Sequence, residues 1–157
     1  MPSLYALKRW MYPQGRPNPV ARFLNRIAEV QHRSGLAPQA WVTLEVPGRR
    51  SGRTVACPLV VLDSGGSRYL VGMLGPQTNW ARNVRAAGGH AVLRHGGREA
   101  VVLTEVPAAD RPPILRDYLE VAPGARPHFP VHRGASVEAF VPIAGDYPVF
   151  RVTQEPP

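Results

Sequence analysis

Carboxylates are scarce in the first third of this chain, and cysteine and lysine are nearly missing throughout. The single cysteine, Cys57, excludes an internal disulfide and any multi-cysteine metal site. Of 19 basic residues only Lys8 is a lysine, so arginine, with its forked and permanently charged head, supplies almost all the positive charge. No apolar run approaches the roughly 18 residues of a membrane span. No secretory leader pattern is visible either, so the chain reads as cytoplasmic. Nucleophile machinery is missing too: there is no Gly-x-Ser-x-Gly elbow, no pair of carboxylates stands out, and Cys57 lies mid-strand before a proline. His128 and His132 are four residues apart, but Pro127 and Pro130 forbid the helix that would align them, so no metal site is expected. Nothing resembles a zinc finger, an RNP strand or a helix-turn-helix, and nucleic acid is not an expected partner.

What is present suffices for a packed domain. A chain of 157 residues with 44% hydrophobic composition can bury a core, and its 18 prolines and 15 glycines are spread between apolar runs. One domain over residues 1–157 is the expectation. The net charge of +8 is unevenly placed. Residues 1–53 hold nine Lys/Arg and two Asp/Glu, a balance of +7, which leaves +1 for the other 104 residues. An anionic partner is expected at that end: nucleic acid, a membrane surface or an anionic cofactor by charge alone.

The densest part of this charge is Gly48-Arg49-Arg50-Ser51-Gly52-Arg53, a cationic loop between two apolar runs that read as strands, Trp41–Val46 and Thr54–Leu62. Glycine permits the positive φ angles that gather backbone N–H groups into a concavity, and arginine adds donors that match phosphate or carboxylate oxygens. The loop reads as an anion cradle, with a solvated hairpin turn as the plainer alternative.

The pattern predicts a short basic helix over residues 3–12, a lid or a membrane-surface contact in residues 1–18, and a second helix over about 19–33. After the first two strands, Ser64-Gly65-Gly66-Ser67 predicts a hairpin into a strand over Arg68–Leu74. A helix over 78–88 follows, with Thr78 as cap, Gly88 as stop and Asn79 and Asn83 on one face. Strands over 90–95 and 98–105 are joined by Gly96-Gly97. A helix at about 110–121 turns Ile114, Leu115, Tyr118 and Leu119 inward, loop covers 122–135, a short helix lies near 136–145, and a strand over 148–152 closes the chain. Short antiparallel strands with peripheral helices argue for a mainly β fold closed as a barrel.

Four ordered motifs carry a resemblance over most of the chain. They are Gly48-Arg-Arg-Ser-Gly-Arg53 followed by Pro58-Leu59, Arg68-Tyr69-Leu-Val71, Asn79-Trp80-x-x-Asn83-Val-Arg85-Ala86, and Tyr147-Pro148-Val-Phe150. In these the chain resembles the deazaflavin-dependent nitroreductase family, split-barrel flavin- and deazaflavin-dependent oxidoreductases whose best-known members use coenzyme F420. The resemblance implies a split β-barrel of the FMN-binding split-barrel-like kind. It also implies that Arg49, Arg50, Ser51, Gly52 and Arg53 hold the phosphate and oligoglutamate tail of the cofactor. Pro58 and Leu59 would border its ring system, the turn Gly72, Met73, Leu74, Gly75 would run along the ring edge, and Asn79, Trp80 and Asn83 would flank it. The chain departs from the family pattern at Thr54–Cys57, where a further basic residue is frequent, and at Gly72–Gly75, which is bulkier than the usual small-residue stretch. The family's C-terminal tyrosine cluster is not matched, so the substrate does not transfer.

The reading that results is an oxidoreductase passing a hydride from reduced F420 to an electron-poor small molecule such as a quinone, enone or nitroaromatic. Candidate proton donors are Tyr5, Tyr12 and Tyr118. The alternatives are the same barrel with FMN or FAD, and a non-catalytic deazaflavin carrier or membrane-surface protein docked through its basic N-terminus. Monomer and homodimer both remain open.

Overall fold

The computed structural model describes residues 41–157. The helices expected over 3–12 and 19–33, the lid over 1–18, and Tyr5 and Tyr12 lie outside these residues.

Seven strands form one sheet: β1 (Trp41–Pro47), β2 (Thr54–Val60), β3 (Leu62–Ser64), β4 (Ser67–Val71), β5 (His90–Arg94), β6 (Arg98–Glu105) and β7 (Val149–Gln154). Every neighbouring pair is antiparallel, in the order β2-β1-β5-β6-β7-β4-β3. β2 and β3 lie at opposite ends of that order, yet Val61 alone separates them in sequence. In a flat sheet the two would be roughly 29 Å apart at the usual strand spacing. One residue reaches only about 3.5 Å. The sheet is therefore rolled until its edges meet, a mainly β barrel with peripheral helices, as expected. The single strand expected over 54–62 is broken at Val61 because the chain changes edge there. Pro58 is tolerated in β2 because that strand ends the hydrogen-bonded order.

Alternation along the strands turns Leu44, Val46, Leu70, Leu93, Val101, Leu103 and Phe150 into the core. Helix α1 (Asn79–Ala86) adds Trp80, Ala81 and Val84, with the Trp80 and Phe150 rings 5.6 Å apart. Helix α2 (Pro112–Val121) buries Ile114, Leu115, Tyr118 and Leu119, the four residues its spacing predicted. Turns follow their glycines: Gly65 and Gly66 both have positive φ (57° and 80°), the pairing a two-residue hairpin requires. Between β5 and β6 the loop has three residues, since Arg94 pairs with Arg98.

Several expected boundaries move. β4 stops at Val71 rather than Leu74, because the N–H of Gly72 turns to the carbonyl of Pro148 (2.8 Å). The segment read as loop contains a 3₁₀ turn over Pro123–His128, and the helix expected near 136–145 is 3₁₀ over Val137–Asp146, with Pro142 inside it. Thr78 does not cap α1. Its hydroxyl donates backwards to the carbonyl of Gly75 (2.6 Å), tying the helix start to the preceding turn. Among the described residues no helix is long and apolar enough to cross a membrane.

Candidate functional site

β1 and β2 pair as far as Pro47 with Thr54, which leaves residues 48–53 to close the corner. The closure is tight. The N–H of Gly48 donates to the Arg53 carbonyl (2.7 Å), that of Gly52 to the Gly48 carbonyl (2.9 Å), and that of Arg53 to the Ser51 hydroxyl (3.2 Å). Gly52 adopts φ +71°, a conformation that glycine reaches without strain. With Arg49 donating to a side chain, four of the six loop amides are used inside the protein. Only the N–H groups of Arg50 and Ser51 have no protein acceptor among the described residues, so the loop offers an anion mainly side chains and less backbone than its glycines suggested. Arg50, Ser51, Gly52 and Arg53 are exposed.

Arg49 turns towards α1. The carboxamide oxygen of Asn83 accepts from its backbone N–H (3.1 Å) and its Nη1 (2.8 Å), while Asn79 Oδ1 accepts from Nη2 at 3.5 Å. Asn83 is buried, so its double acceptance fixes the loop against the helix. Asn79 and Asn83 stand four apart on α1, and this shared face is the signal that sequence reading caught. The partner it did not identify is Arg49, 34 positions from Asn83. Lost hydration, followed by the like charges of Arg82 and Arg50, lowers the Arg49 guanidinium below its ordinary pKa. Elsewhere arginines are neutralised: Arg68 with Glu99, Arg85 with Glu105, Arg94 with Glu45 and Arg133 with Glu120. No carboxylate among the described residues pairs with Arg49, Arg50, Arg53 or Arg82.

Beyond β4 the chain folds back on itself. Gly72 is buried, and a β-carbon there would meet Thr78 Oγ1 at 3.1 Å and the Pro148 ring at 3.2 Å. Its φ is not in the left-handed region, whereas Gly75 has φ +90°. The two glycines thus answer different demands, close packing at Gly72 and a turn at Gly75. Met73 is buried and Leu74 is 56% exposed. Across the barrel corner Pro58 is half-buried and Leu59 buried, while Trp80 packs into the core beneath α1.

Tyr118 is buried on α2, and its hydroxyl donates to Met73 Sδ at 3.8 Å. Burial, with a smaller contribution from Cys57, pushes its phenol upward, which keeps it protonated. Burial also pushes the Cys57 thiol up to about 12. Both groups hold their protons at neutral pH. Arg111, also buried, donates to the carbonyls of Val106 (2.8 Å), Ala144 (3.1 Å) and Tyr147 (3.1 Å), and so clasps the segment that carries Pro148. A separate cleft of about 690 Å³ lies over β4, β6 and β7 beside the start of α2, with Tyr69, Glu105, Asp110 and Arg151 in its wall. It shares no lining residue with the arginine loop, and its charges are largely engaged: Glu105 with Arg85 and Arg111, Arg151 over the Tyr69 ring. Among the described residues no group of three His, Cys, Asp or Glu is placed to hold a metal.

No protein-family model matches the chain. No curated protein matches it either. Solved structures do. An F420-H2 dependent reductase superposes with a TM-score of 0.50 at 17% identity, covering 75% of this chain and 97% of its own. A protein from Clostridium acetobutylicum related to a Bacillus subtilis general stress protein, of the pyridoxinephosphate oxidase family, gives 0.48 at 14% identity, with 85% and 84% covered. A structure described as a domain-swapped dimer gives 0.49 at 17%, with 83% and 98% covered. At such identities the likeness concerns the fold. That fold is the split β-barrel of the FMN-binding split-barrel-like kind.

Proposed function

We propose that this protein is an oxidoreductase whose split barrel holds coenzyme F420 and passes a hydride from its reduced form to an electron-poor organic acceptor. The observation that carries the reading is the arginine loop: three arginines without carboxylate partners among the described residues, docked onto α1 by a buried asparagine. Anchoring holds the loop in one conformation, so that less freedom is lost when an anionic tail binds. The residues present fit such a group. Arg50, Arg53 and the N–H groups of Arg50 and Ser51, which have no acceptor among the described residues, would take the phosphate and carboxylates, and Arg49 would complete the wall from its tethered position. Pro58, Leu59, Met73 and Gly75 would border the ring. That a structural neighbour is an F420-H2 dependent reductase agrees with this choice of cofactor.

When bound, the deazaflavin supplies the hydride, and an acceptor that also needs a proton takes it from solvent or a hydroxyl. The protein's part is to bind, orient and exclude water, holding reacting atoms within about 3–3.5 Å. Tyr118 is poorly suited as a donor without movement, since its phenol is buried against Met73 with a raised pKa. The outermost tyrosines of the sequence, Tyr5 and Tyr12, remain proposals, as does a cover formed by residues 1–18.

The test is a titration of the purified protein with F420, FMN and FAD, followed by an assay of reduced F420 with a quinone, an enone and a nitroaromatic. The reading expects tight F420 binding and oxidation of reduced F420 with at least one acceptor. Exchanging Arg50 and Arg53 together for glutamine should weaken F420 binding by about tenfold or more, at about 1.5–3 kcal/mol per charged contact. Its melting temperature should not move, since neither side chain has a partner among the described residues. Binding of FMN but not F420 would transfer the reading to a flavin reductase, and F420 binding with no turnover would make the protein a carrier.

A further inference from the structure

The cleft of about 690 Å³ over β4, β6 and β7 has a chemistry of its own. Strand alternation sends Leu70, Leu103, Phe150 and Val152 into the core, so Ser67, Tyr69, Thr104, Arg151 and Thr153 stand on the outer face of the barrel. Arg151 is the cross-strand partner of both Tyr69 on β4 and Thr104 on β6, which puts it in the middle of the row. Its guanidinium carbon lies 5.9 Å from the centroid of the Tyr69 ring, a contact that steadies the side chain but supplies no oxygen acceptor. Among the described residues no carboxylate or carbonyl accepts from the Arg151 guanidinium, and the hydroxyls of Ser67 and Thr104 have no hydrogen-bond partner. Thr153 is already committed, donating to the Val102 carbonyl at 3.1 Å. The chain from Val106 into α2 lines the same cleft with apolar groups, Val106, Pro107, Pro113 and Ile114.

We propose that this cleft is a separate ligand site that takes a small monocarboxylate with an apolar body. Arg151 receives the carboxylate, whose two oxygens match the guanidinium fork, and the hydroxyls of Ser67 and Thr104 donate beside it. The hydrocarbon part lies on Val106, Pro107, Pro113 and Ile114, where its removal from water adds to affinity. The other charges in the lining set the limit of one carboxylate. Glu105 is held by Arg85 and Arg111, Asp110 is exposed, and no ion pair joins either of them to Arg151. Both repel a second negative charge on the ligand, which disfavours dicarboxylates and polyphosphates. The inference stands apart from the cofactor reading, since no lining residue belongs to the arginine loop or to α1.

The test is a nitrogen-resolved NMR titration of the full chain with hexanoate, whose dissociation constant should be on the order of 1 mM for a ligand of that size. The amide signals of Thr104, Arg151 and Thr153 and the Arg151 Nε–H should move, while the amides of Arg50 and Ser51 stay. Hexan-1-ol, which keeps the chain and loses the charge, and hexanedioate, which adds a second, should each bind at least about threefold more weakly. Arg151→Gln should weaken hexanoate about tenfold or more. Because that change also removes the ring contact, the double variant Ser67→Ala/Thr104→Val is measured beside it. It leaves Arg151 and Tyr69 in place and should weaken hexanoate by about threefold or more. No shift, shifts confined to the arginine loop, hexanoate affinity unchanged in both variants, or hexan-1-ol or hexanedioate bound as tightly as hexanoate each overturn the proposal. Hexanoate binding in a protein that takes neither F420 nor FMN removes the cofactor reading and leaves this site, and F420 binding without a hexanoate response does the reverse.

Discussion

At Asn83, exchange of the carboxamide for a methyl group would leave the backbone N–H and Nη1 of Arg49 without their acceptor. Asn83→Ala should cost about 1–3 kcal/mol in urea unfolding and loosen the loop. Asn83→Asp makes the opposite division: the carboxylate can hold Arg49 still and preserve stability, yet it neutralises the site, so affinity for F420 should fall about tenfold with little change in unfolding midpoint. If both variants bind like the parent, the tether has no part in binding. Arg111 is a different kind of cation, since its guanidinium serves three carbonyls and approaches Glu105 at 3.5 Å. Arg111→Met strands those acceptors in the interior and should destabilise the fold by about 3–5 kcal/mol. Cys57 gives a pH signature. Its folded pKa of about 12 lies above the ordinary thiol value, so the stability it confers is complete below about pH 8.5 and is lost as pH rises towards 12. Tyr118, raised in the same direction, adds to the loss above the ordinary phenol range. Cys57→Ala should make the unfolding midpoint less sensitive to pH between about 8.5 and 11; an unchanged slope would exclude the thiol as its source.

Among the elements, α1 joins the packing of the barrel to the site. One side lays Trp80, Ala81 and Val84 on the sheet, and the other presents Asn79 and Asn83 to the loop. Trp80→Ala should cost about 3–5 kcal/mol, as expected for an aromatic ring buried against Phe150. Any fall in cofactor affinity should then follow the loss of the folded helix. Comparing affinity under conditions where the variant is fully folded separates a packing role from a direct one. The turn after α1 is equally constrained. Gly89 has φ +88°, and a β-carbon there would stand 2.5 Å from the Leu103 carbonyl oxygen, so Gly89→Ala should lower the melting temperature by several degrees.

For the molecule as a whole, net charge of +8 makes association with an anion sensitive to salt. The affinity for F420 should fall between 50 mM and 500 mM salt, and more steeply than that for FMN if several charges on the tail are met. Parallel slopes would argue for a single phosphate contact. Among the described residues the corner where β1 turns into β2 carries Arg49, Arg50 and Arg53, while ion pairs such as Arg68–Glu99 and Arg94–Glu45 balance charge elsewhere on the sheet.

Periodicity and turn chemistry act locally, and so the sequence by itself determined most strands, the buried faces of α1 and α2, the Gly65-Gly66 hairpin and the cationic loop. Each depends on residues within one or two turns of one another. Its errors were also local competitions: Thr78 finds the Gly75 carbonyl before a helix amide, and Pro142 turns a helical pattern into 3₁₀. Only the tertiary structure decided that the sheet rolls until its edges meet at Val61, that Arg111 clasps the carbonyls of Ala144 and Tyr147, and that Asn83 holds Arg49. The two arginine contacts join residues more than thirty positions apart, and no local pattern encodes such a distance. The same folding leaves Arg49, Arg50 and Arg53 without a carboxylate partner among the described residues, although composition alone could not show which arginines would be left without one.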